Sequence, residues 1–185
     1  MLEARDQNQL GSLLIEKLIV DRPGTGAALL AERAGVPVCT LDYTVFRSAL
    51  DFQAALLEQL REDCPHLILA LGFMRILSGQ IISEFKYKII NIHPSLLPAF
   101  PGMAAQKQAL EYGVRVTGAT VHFMDAGVDT GPIIAQSALE IDPSWDLDRL
   151  KAELLPLEHR LVVRAATLFM DDRLEVRGRK VIIKD

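Results

Sequence analysis

The sequence predicts an α/β protein whose mostly parallel, twisted sheet is flanked by helices. Short apolar stretches rich in β-branched residues alternate with stretches whose apolar residues recur at helical spacing. One stretch, His66 to Leu71, is apolar after its first residue, which is typical of a central parallel strand covered on both faces. This alternation of strands and helices is the pattern of a doubly wound, Rossmann-like sheet.

The individual elements follow from these periodicities and from the positions of glycine and proline. Met1 to Arg5 has the character of a helix interior, and Leu14 to Val20 has that of a strand. The remaining helices are predicted at 27–34, 46–63, 78–85, 104–112 and 145–170, the last one interrupted or bent at Pro156. The remaining strands are predicted at 36–41, 88–91, 117–124 and 133–141, with a terminal hairpin of 173–177 and 181–183 around Gly178. Because 117–124 and 133–141 are closely linked and alternate more, we expect them to form an antiparallel or mixed part of the sheet.

Length and composition predict one soluble domain over residues 1–185. The chain of 185 residues carries a net charge of −4 without a basic stripe, so nucleic acid is excluded as a partner. No apolar run has the length of a membrane span, and the charged first residues do not form a signal peptide, so we expect a cytoplasmic protein without membrane contact. Cys39 and Cys64 lie far from any histidine pattern, which predicts no bound metal.

Three polar residues stand out at the ends of apolar stretches. Asn91 and His93 lie two apart at the end of a predicted strand, where residues i and i+2 project to the same face. Asp129 follows in a turn before the next strand. An amide can donate to a developing oxyanion, an imidazole can move a proton near neutral pH, and a carboxylate can orient that imidazole. Each residue alone is more simply explained as structural, but together they indicate acyl transfer without a serine or cysteine nucleophile.

Several motifs accompany this trio along most of the chain. They are Asp21-Arg22-Pro23, Ala34-Gly35-Val36-Pro37, the stretch from Leu71 to Leu77, Asn91-Ile92-His93-Pro94-Ser95-Leu96-Leu97-Pro98, Phe100-Pro101-Gly102, Gly118 to Phe123, Gly127-Val128-Asp129-Thr130-Gly131-Pro132 and Glu158-His159-Arg160. From about Leu14 onward the chain therefore resembles the folate-dependent formyltransferases, and most closely those that formylate glycinamide ribonucleotide in purine synthesis. The resemblance implies a Rossmann-like formyltransferase fold.

The resemblance also implies a role for the trio. The amine of glycinamide ribonucleotide would attack the formyl carbon of 10-formyltetrahydrofolate, a co-substrate. Asn91 and a protonated His93 would stabilise the tetrahedral oxyanion, and Asp129 would keep His93 charged and order a water for proton transfer.

Further residues acquire binding roles from the same resemblance. Those implied to contact the folate are Met74, Arg75, Ile76 and Leu77 in one segment, Asn91 and Asp129 of the trio, and Met124, Asp125, Ala126, Gly127 and Val128 in a closing loop. Glu158 would contact the glycinamide end of the acceptor. Met74, Ile76 and Leu77 have a plainer interpretation as core side chains, and Glu158 as a solvated helix carboxylate.

The start of the chain departs from the family pattern. Members open with an apolar strand and a glycine-rich loop ending in Ser-Asn, whose following helix receives the substrate phosphate. No such segment precedes Leu14, and Gly24-Thr25-Gly26 is more simply a loop before the next helix. We therefore expect the first strand and phosphate loop to be lacking and acceptor binding to be weakened. A sheet without its first strand would expose a strand edge, which predicts a homodimer or larger assembly.

Two other functions remain open. A formyltetrahydrofolate hydrolase would use the same trio but direct water to the formyl group, although that family carries an additional N-terminal domain. A degenerate, non-catalytic folate-binding homologue is the second alternative, because the phosphate loop is not recognisable. The length and the form of the Gly127 to Pro132 motif favour the purine enzyme.

Overall fold

The computed structural model describes residues 1–185 and confirms the predicted α/β class with flanking helices. The chain divides into two compact units, residues 2–65 and residues 66–185, the second of which also includes Met1. Backbone pairing forms one two-stranded sheet and one six-stranded sheet. No helix combines the length and the apolar character that crossing a bilayer requires.

The unit of residues 2–65 contains the two-stranded sheet and three helices. Its elements are α1 (Leu2–Asp6), β1 (Leu18–Val20), α2 (Gly26–Arg33), β2 (Val38–Thr40), a 3₁₀ turn (Tyr43–Val45) and α3 (Ala49–Asp63). Strands β1 and β2 run parallel with Ile19 opposite Cys39. Helix α2 begins where the Thr25 side chain accepts a hydrogen bond from the Ala28 N–H, so Gly24 to Gly26 is the predicted loop before a helix.

The helix predicted over 46–63 begins later than expected. The Ser48 side chain accepts a hydrogen bond from the Asp51 N–H at 3.2 Å, which caps the helix and sets its first residue at Ala49. Phe46 nevertheless belongs to the apolar side, because its ring meets that of Phe52 edge-on at 5.5 Å. The apolar residue at position 46 therefore reflects packing against Phe52. The helical spacing corresponds to a helix only from Ala49 onward.

The unit of residues 66–185 contains the six-stranded sheet. Its elements are β3 (Ile68–Leu69), α4 (Gly79–Glu84), β4 (Ile89–His93), α5 (Ala105–Tyr112), β5 (Val116–Phe123), β6 (Ile133–Glu140), α6 (Leu147–Met170), β7 (Leu174–Arg177) and β8 (Lys180–Ile183). The strand order is β3-β4-β5-β6-β8-β7. The β3–β4 and β6–β8 pairs are parallel, and β4–β5, β5–β6 and β7–β8 are antiparallel. The antiparallel pairing predicted for the segments 117–124 and 133–141 is confirmed.

One face of the sheet forms the apolar core against α6. Ile90 lies opposite Phe123 and Ile92 opposite Val121, so these four side chains project to the same side. They pack with the residues of α6 that are buried beside them, namely Leu161, Val162 and Ala165. Because side chains alternate along a strand, Asn91 and His93 are directed to the opposite face.

The long helix α6 runs without interruption through Pro156. Proline lacks the N–H that would bond the carbonyl of residue 152, and such a gap is costly when it is buried. Both Ala152 and Pro156 are exposed, so water can satisfy that carbonyl. Of the two predicted outcomes at Pro156, an interruption or a bend, the interruption is therefore wrong.

The C-terminal hairpin is confirmed, with Gly178 at φ +63° in its turn. Strand β8 joins the main sheet where Lys180 lies opposite Ile133, the first residue of β6. The tip of the hairpin is thus next to the loop that leads from β5 into β6.

Candidate active site

The polar face of the sheet gathers side chains from two neighbouring strands. In the antiparallel register of β4 and β5, Asn91 lies opposite His122 and His93 lies opposite Thr120. Directly opposed residues project to the same face, so all four side chains share the face that α6 does not cover. This register, set between strands about thirty residues apart in the chain, brings a second histidine to the predicted site.

Both ring nitrogens of His93 face acceptors. Nε2 lies 2.8 Å from the Phe100 carbonyl oxygen, and Nδ1 lies 3.2 Å from Oδ2 of Asp129. A carbonyl and a carboxylate can only accept, so the ring satisfies both contacts at once when both nitrogens carry hydrogen. His93 is 4% exposed, and the side chain of Asp129 is 12% exposed. The structure thus brings His93 and Asp129 together in a protected pair.

The backbone holds Asp129 in an unusual conformation. Its φ of +53° lies in the left-handed region, which aspartate tolerates better than most residues. The Gly102 N–H donates to Oδ2 of Asp129 at 2.8 Å, which fixes the carboxylate on the side of His93. A Cβ at Gly131 would lie 1.7 Å from the Phe123 carbonyl oxygen, so only glycine permits the loop to pass this close to β5.

His122 is the second imidazole near Asp129, and it is held neutral. Its Nδ1–H donates to the Phe123 carbonyl at 2.9 Å, and Nε2 lies 3.6 Å from Oδ1 of Asp129 without forming a hydrogen bond. Burial lowers the pKa of His122 below its ordinary value of 6.5, against the opposing influence of the Phe123 carbonyl and of Asp129. An ion pair between Nε2 and Oδ1 would require a protonated ring. The lowering of the His122 pKa by burial is larger than the raising of it by the Asp129 carboxylate. A bare acceptor nitrogen therefore faces the site.

The lowered pKa of His122 predicts a loss of stability in mild acid. The unfolded chain takes up a proton near pH 6.5, whereas the folded protein resists doing so, and stability that is complete above this value falls as the pH drops below it. We expect His122→Gln to reduce the difference between the free energies of unfolding at pH 7.5 and pH 5.5. Urea denaturation at both pH values measures this difference. His159→Gln, at an exposed histidine, is the control and should leave the wild-type difference unchanged; an equal change in both variants would contradict the assignment.

Asn91 is half-buried, and its side-chain amide makes no hydrogen bond within the protein. Its neighbour across the strands, His122, also has an unpaired nitrogen. Buried polar groups are usually paired, so the unpaired Nε2 of His122 beside the amide of Asn91 indicates a place where a ligand supplies the partner.

A cavity of about 370 Å³ lies beside the loop that the sequence assigned to the folate. Its lining includes Met124, Asp125 and Ala126 of that loop, together with residues that the sequence reasoning did not single out, among them Ile82, Lys86, Tyr87 and Arg179. The volume is within the range of small-molecule sites. Ile82 belongs to helix α4, for which the sequence predicted no part in binding.

The other predicted binding residues do not line this cavity. Met74 and Ile76 are 82% and 77% exposed, so the interpretation of these two as core side chains is wrong. Leu77 is buried at 9% exposure. Arg75 belongs to the same irregular segment between β3 and α4. Gly127 and Val128 continue the loop beyond Ala126, and Val128 is 54% exposed.

Glu158 lies on the buried side of α6, one turn from Leu154 and from Leu161 or Val162. It is half-buried, and burial raises the pKa of its carboxyl group. No hydrogen bond joins it to Asn91, His93 or Asp129. Glu158 is thus a partly buried carboxyl without a hydrogen-bond or ion-pair partner in the protein.

Comparison with known proteins gives consistent matches to one family. The sequence pattern of the protein family described as formyl transferase matches residues 1–166 of this chain. Phosphoribosylglycinamide formyltransferase of Bacillus subtilis (strain 168) is 42% identical over 143 residues, which are 77% of this chain and 73% of that protein.

Solved structures give the same result. Glycinamide ribonucleotide transformylase 1 from Symbiobacterium toebii has 41% identity and a TM-score of 0.94 over 100% of this chain and 86% of that one. Formyltetrahydrofolate deformylase from Burkholderia mallei is more distant, with 27% identity and a TM-score of 0.86 over 100% of this chain and 64% of that one.

Proposed function

The chain belongs to the formyl transferase family, and from this premise we propose that it transfers the formyl group of 10-formyltetrahydrofolate to the amine of glycinamide ribonucleotide in purine biosynthesis. The observation that carries the proposal is the meeting of His93 and Asp129 at 3.2 Å on the same face as the unpaired amide of Asn91. The relatives named for this reaction are also more similar to the chain than the deformylase is.

In the proposed reaction the amine nitrogen of the acceptor forms a bond to the formyl carbon, and the bond from that carbon to the folate nitrogen breaks. The proton released by the amine ends on the folate nitrogen. The Asn91 amide donates to the oxyanion of the tetrahedral intermediate, where one such donor contributes about 10²- to 10³-fold in rate. When the oxyanion forms, the Nε2–H of His93 gives up its hydrogen bond to the Phe100 carbonyl oxygen and donates to the oxyanion instead.

Asp129 has two parts in this scheme. Its Oδ2 accepts from Nδ1 of His93 and so favours the charged ring that can donate to the oxyanion. Its Oδ1 is directed toward His122, whose Nε2 is free to accept a hydrogen bond. A water held between these two groups would carry the proton from the amine to the folate nitrogen.

The binding assignments follow the same proposal. The cavity beside Met124, Asp125 and Ala126 receives part of the folate. The segment 74–77, in which Met74 and Ile76 are exposed, and the continuation through Gly127 and Val128 close around it. Glu158 binds the glycinamide end of the acceptor, because its carboxyl has no partner in the protein and can accept from an amide N–H. No metal takes part.

The products that form in the presence of the acceptor distinguish the candidate functions. With 10-formyltetrahydrofolate and glycinamide ribonucleotide, we expect formylated acceptor in amounts equal to the tetrahydrofolate formed. Formate release that does not depend on the acceptor would instead indicate a deformylase, as in the more distant structural relatives. Folate binding without either product would indicate the non-catalytic alternative.

We also propose that the protein works in the cytoplasm as a homodimer. The two-stranded sheet of β1 and β2 has an unpaired edge on each side, and such edges favour association between chains. Light scattering at high protein concentration tests this proposal, and a monomer would contradict it.

A further inference from the structure

The tip of the C-terminal hairpin contacts the loop that carries Asp129. Pairing of Lys180 with Ile133 places the start of β8 at the start of β6, directly after this loop. The guanidinium of Arg179 donates from Nη2 to the Thr130 carbonyl oxygen at 3.1 Å. Two segments that are 49 residues apart in sequence are thereby joined one residue after Asp129.

Thr130 is also held from within the loop. Its hydroxyl donates to Oδ1 of Asp125 at 2.7 Å, and the same oxygen accepts from the Gly127 N–H at 3.0 Å. The side chain and the carbonyl of Thr130 are thus fixed by different partners, one inside the loop and one on the hairpin. A residue held at both groups has little freedom to rotate its backbone.

This restraint matters because the preceding residue has a strained backbone. Asp129 is a non-glycine residue at φ +53°, and such conformations persist where the surrounding structure over-determines them. Its carboxylate must satisfy the Gly102 N–H and the ring of His93 from this position. A small rotation at Thr130 would move both contacts.

We propose that Arg179 is a positioning residue, which keeps the carboxylate of Asp129 against His93 through its hydrogen bond to Thr130. The guanidinium has no contact with Asp129 itself; from the edge of the cavity beside Met124 it acts on the carboxylate by restricting the loop. Its effect on the rate of formyl transfer rests on the proposed function, whereas its effect on the loop does not.

The backbone amide of Gly102 reports directly on the position of Asp129, because its N–H donates to the carboxylate. We expect Arg179→Ala to speed hydrogen exchange at this amide about 3- to 10-fold, the range that corresponds to one net hydrogen bond. The amide of Ala70, which donates to Ile90 in the core, should keep its exchange rate. NMR-detected exchange resolves both amides without any substrate.

Two further variants complete the test. Arg177→Ala removes a guanidinium on the same hairpin whose partner is Glu175, and it should leave Gly102 unchanged. Arg179→Gln keeps an N–H donor without the charge, and it should restore part of the protection. In steady-state kinetics we expect kcat of Arg179→Ala to fall by a similar factor, again in the range of one hydrogen bond.

An unchanged Gly102 amide in Arg179→Ala, or one that changes in parallel with Ala70, would overturn the proposal. If the Gly102 amide responds but the wild-type protein transfers no formyl group, the proposed function fails and the positioning role of Arg179 stands.

Discussion

Replacing His93 by alanine should lower kcat for formyl transfer by about 10²- to 10³-fold, the usual contribution of a hydrogen-bond donor to a developing oxyanion. The variant removes the only imidazole whose two nitrogens face both the Phe100 carbonyl and Asp129. The cavity beside Met124 does not include His93, so folate affinity should change little. Rapid-mixing kinetics of formyl transfer measure the first quantity, and calorimetric titration with a non-transferable folate analogue measures the second.

Two companion variants make the His93 result specific. His93→Gln keeps a hydrogen-bond donor in a buried site but cannot carry a positive charge, so its kcat should stay well below that of the wild type. His66→Ala removes an exposed histidine and should retain wild-type kcat. Normal turnover in His93→Gln would show that the ring acts through shape and hydrogen bonding alone, which contradicts the proposed charge.

Replacing Asp129 by asparagine should lower kcat by at least about 10²-fold, which is within the usual contribution of a group that positions a proton transfer. Asparagine adopts the left-handed conformation as readily as aspartate, so the φ of +53° is preserved. Its amide oxygen can still accept from the Gly102 N–H, but the negative charge beside His93 is lost. The loss therefore separates charge from backbone geometry. Steady-state kinetics with saturating acceptor give kcat directly.

Asp172 offers a matched control for this substitution. It also has a positive φ, +54°, but its side chain is 97% exposed and pairs with Lys184 far along the chain from the trio. Asp172→Asn should leave kcat unchanged. A fall of similar size in both variants would mean that the loss arises from general destabilisation and would argue against a catalytic charge at Asp129.

The placement of Asn91 and His93 illustrates what strand periodicity can predict. Their spacing of two residues at the end of an apolar stretch was enough to put them on one face, and the register of β4 with β5 has them there. Asp129 lies 36 positions beyond His93 and was joined to it on residue type and its position in a turn, with nothing local to show that the two side chains meet. Pairing across such a distance depends on the whole fold.

The contacts that the sequence did not predict are those that depend on register or on distant elements. His122 is not among the site residues predicted from the sequence, because its partner across the sheet is known only once β4 and β5 are aligned. Arg179 gave no local signal, since its contact with Thr130 exists only when the hairpin joins β6. For Met74 and Ile76, burial in the core was the plainer alternative to folate binding, and it is wrong because both side chains are exposed to solvent.

The last four residues of β4, Ile90 to His93, serve two unrelated purposes in alternation. Ile90 and Ile92 hold the sheet to α6, and Asn91 and His93 face the chemistry. Inserting or deleting a single residue here would exchange the two sets, sending an amide and an imidazole into hydrocarbon and aliphatic chains into the substrate. A point substitution in this strand can affect folding alone or catalysis alone, whereas a change of length affects both. The length and register of β4 are therefore constrained by folding and by catalysis at once.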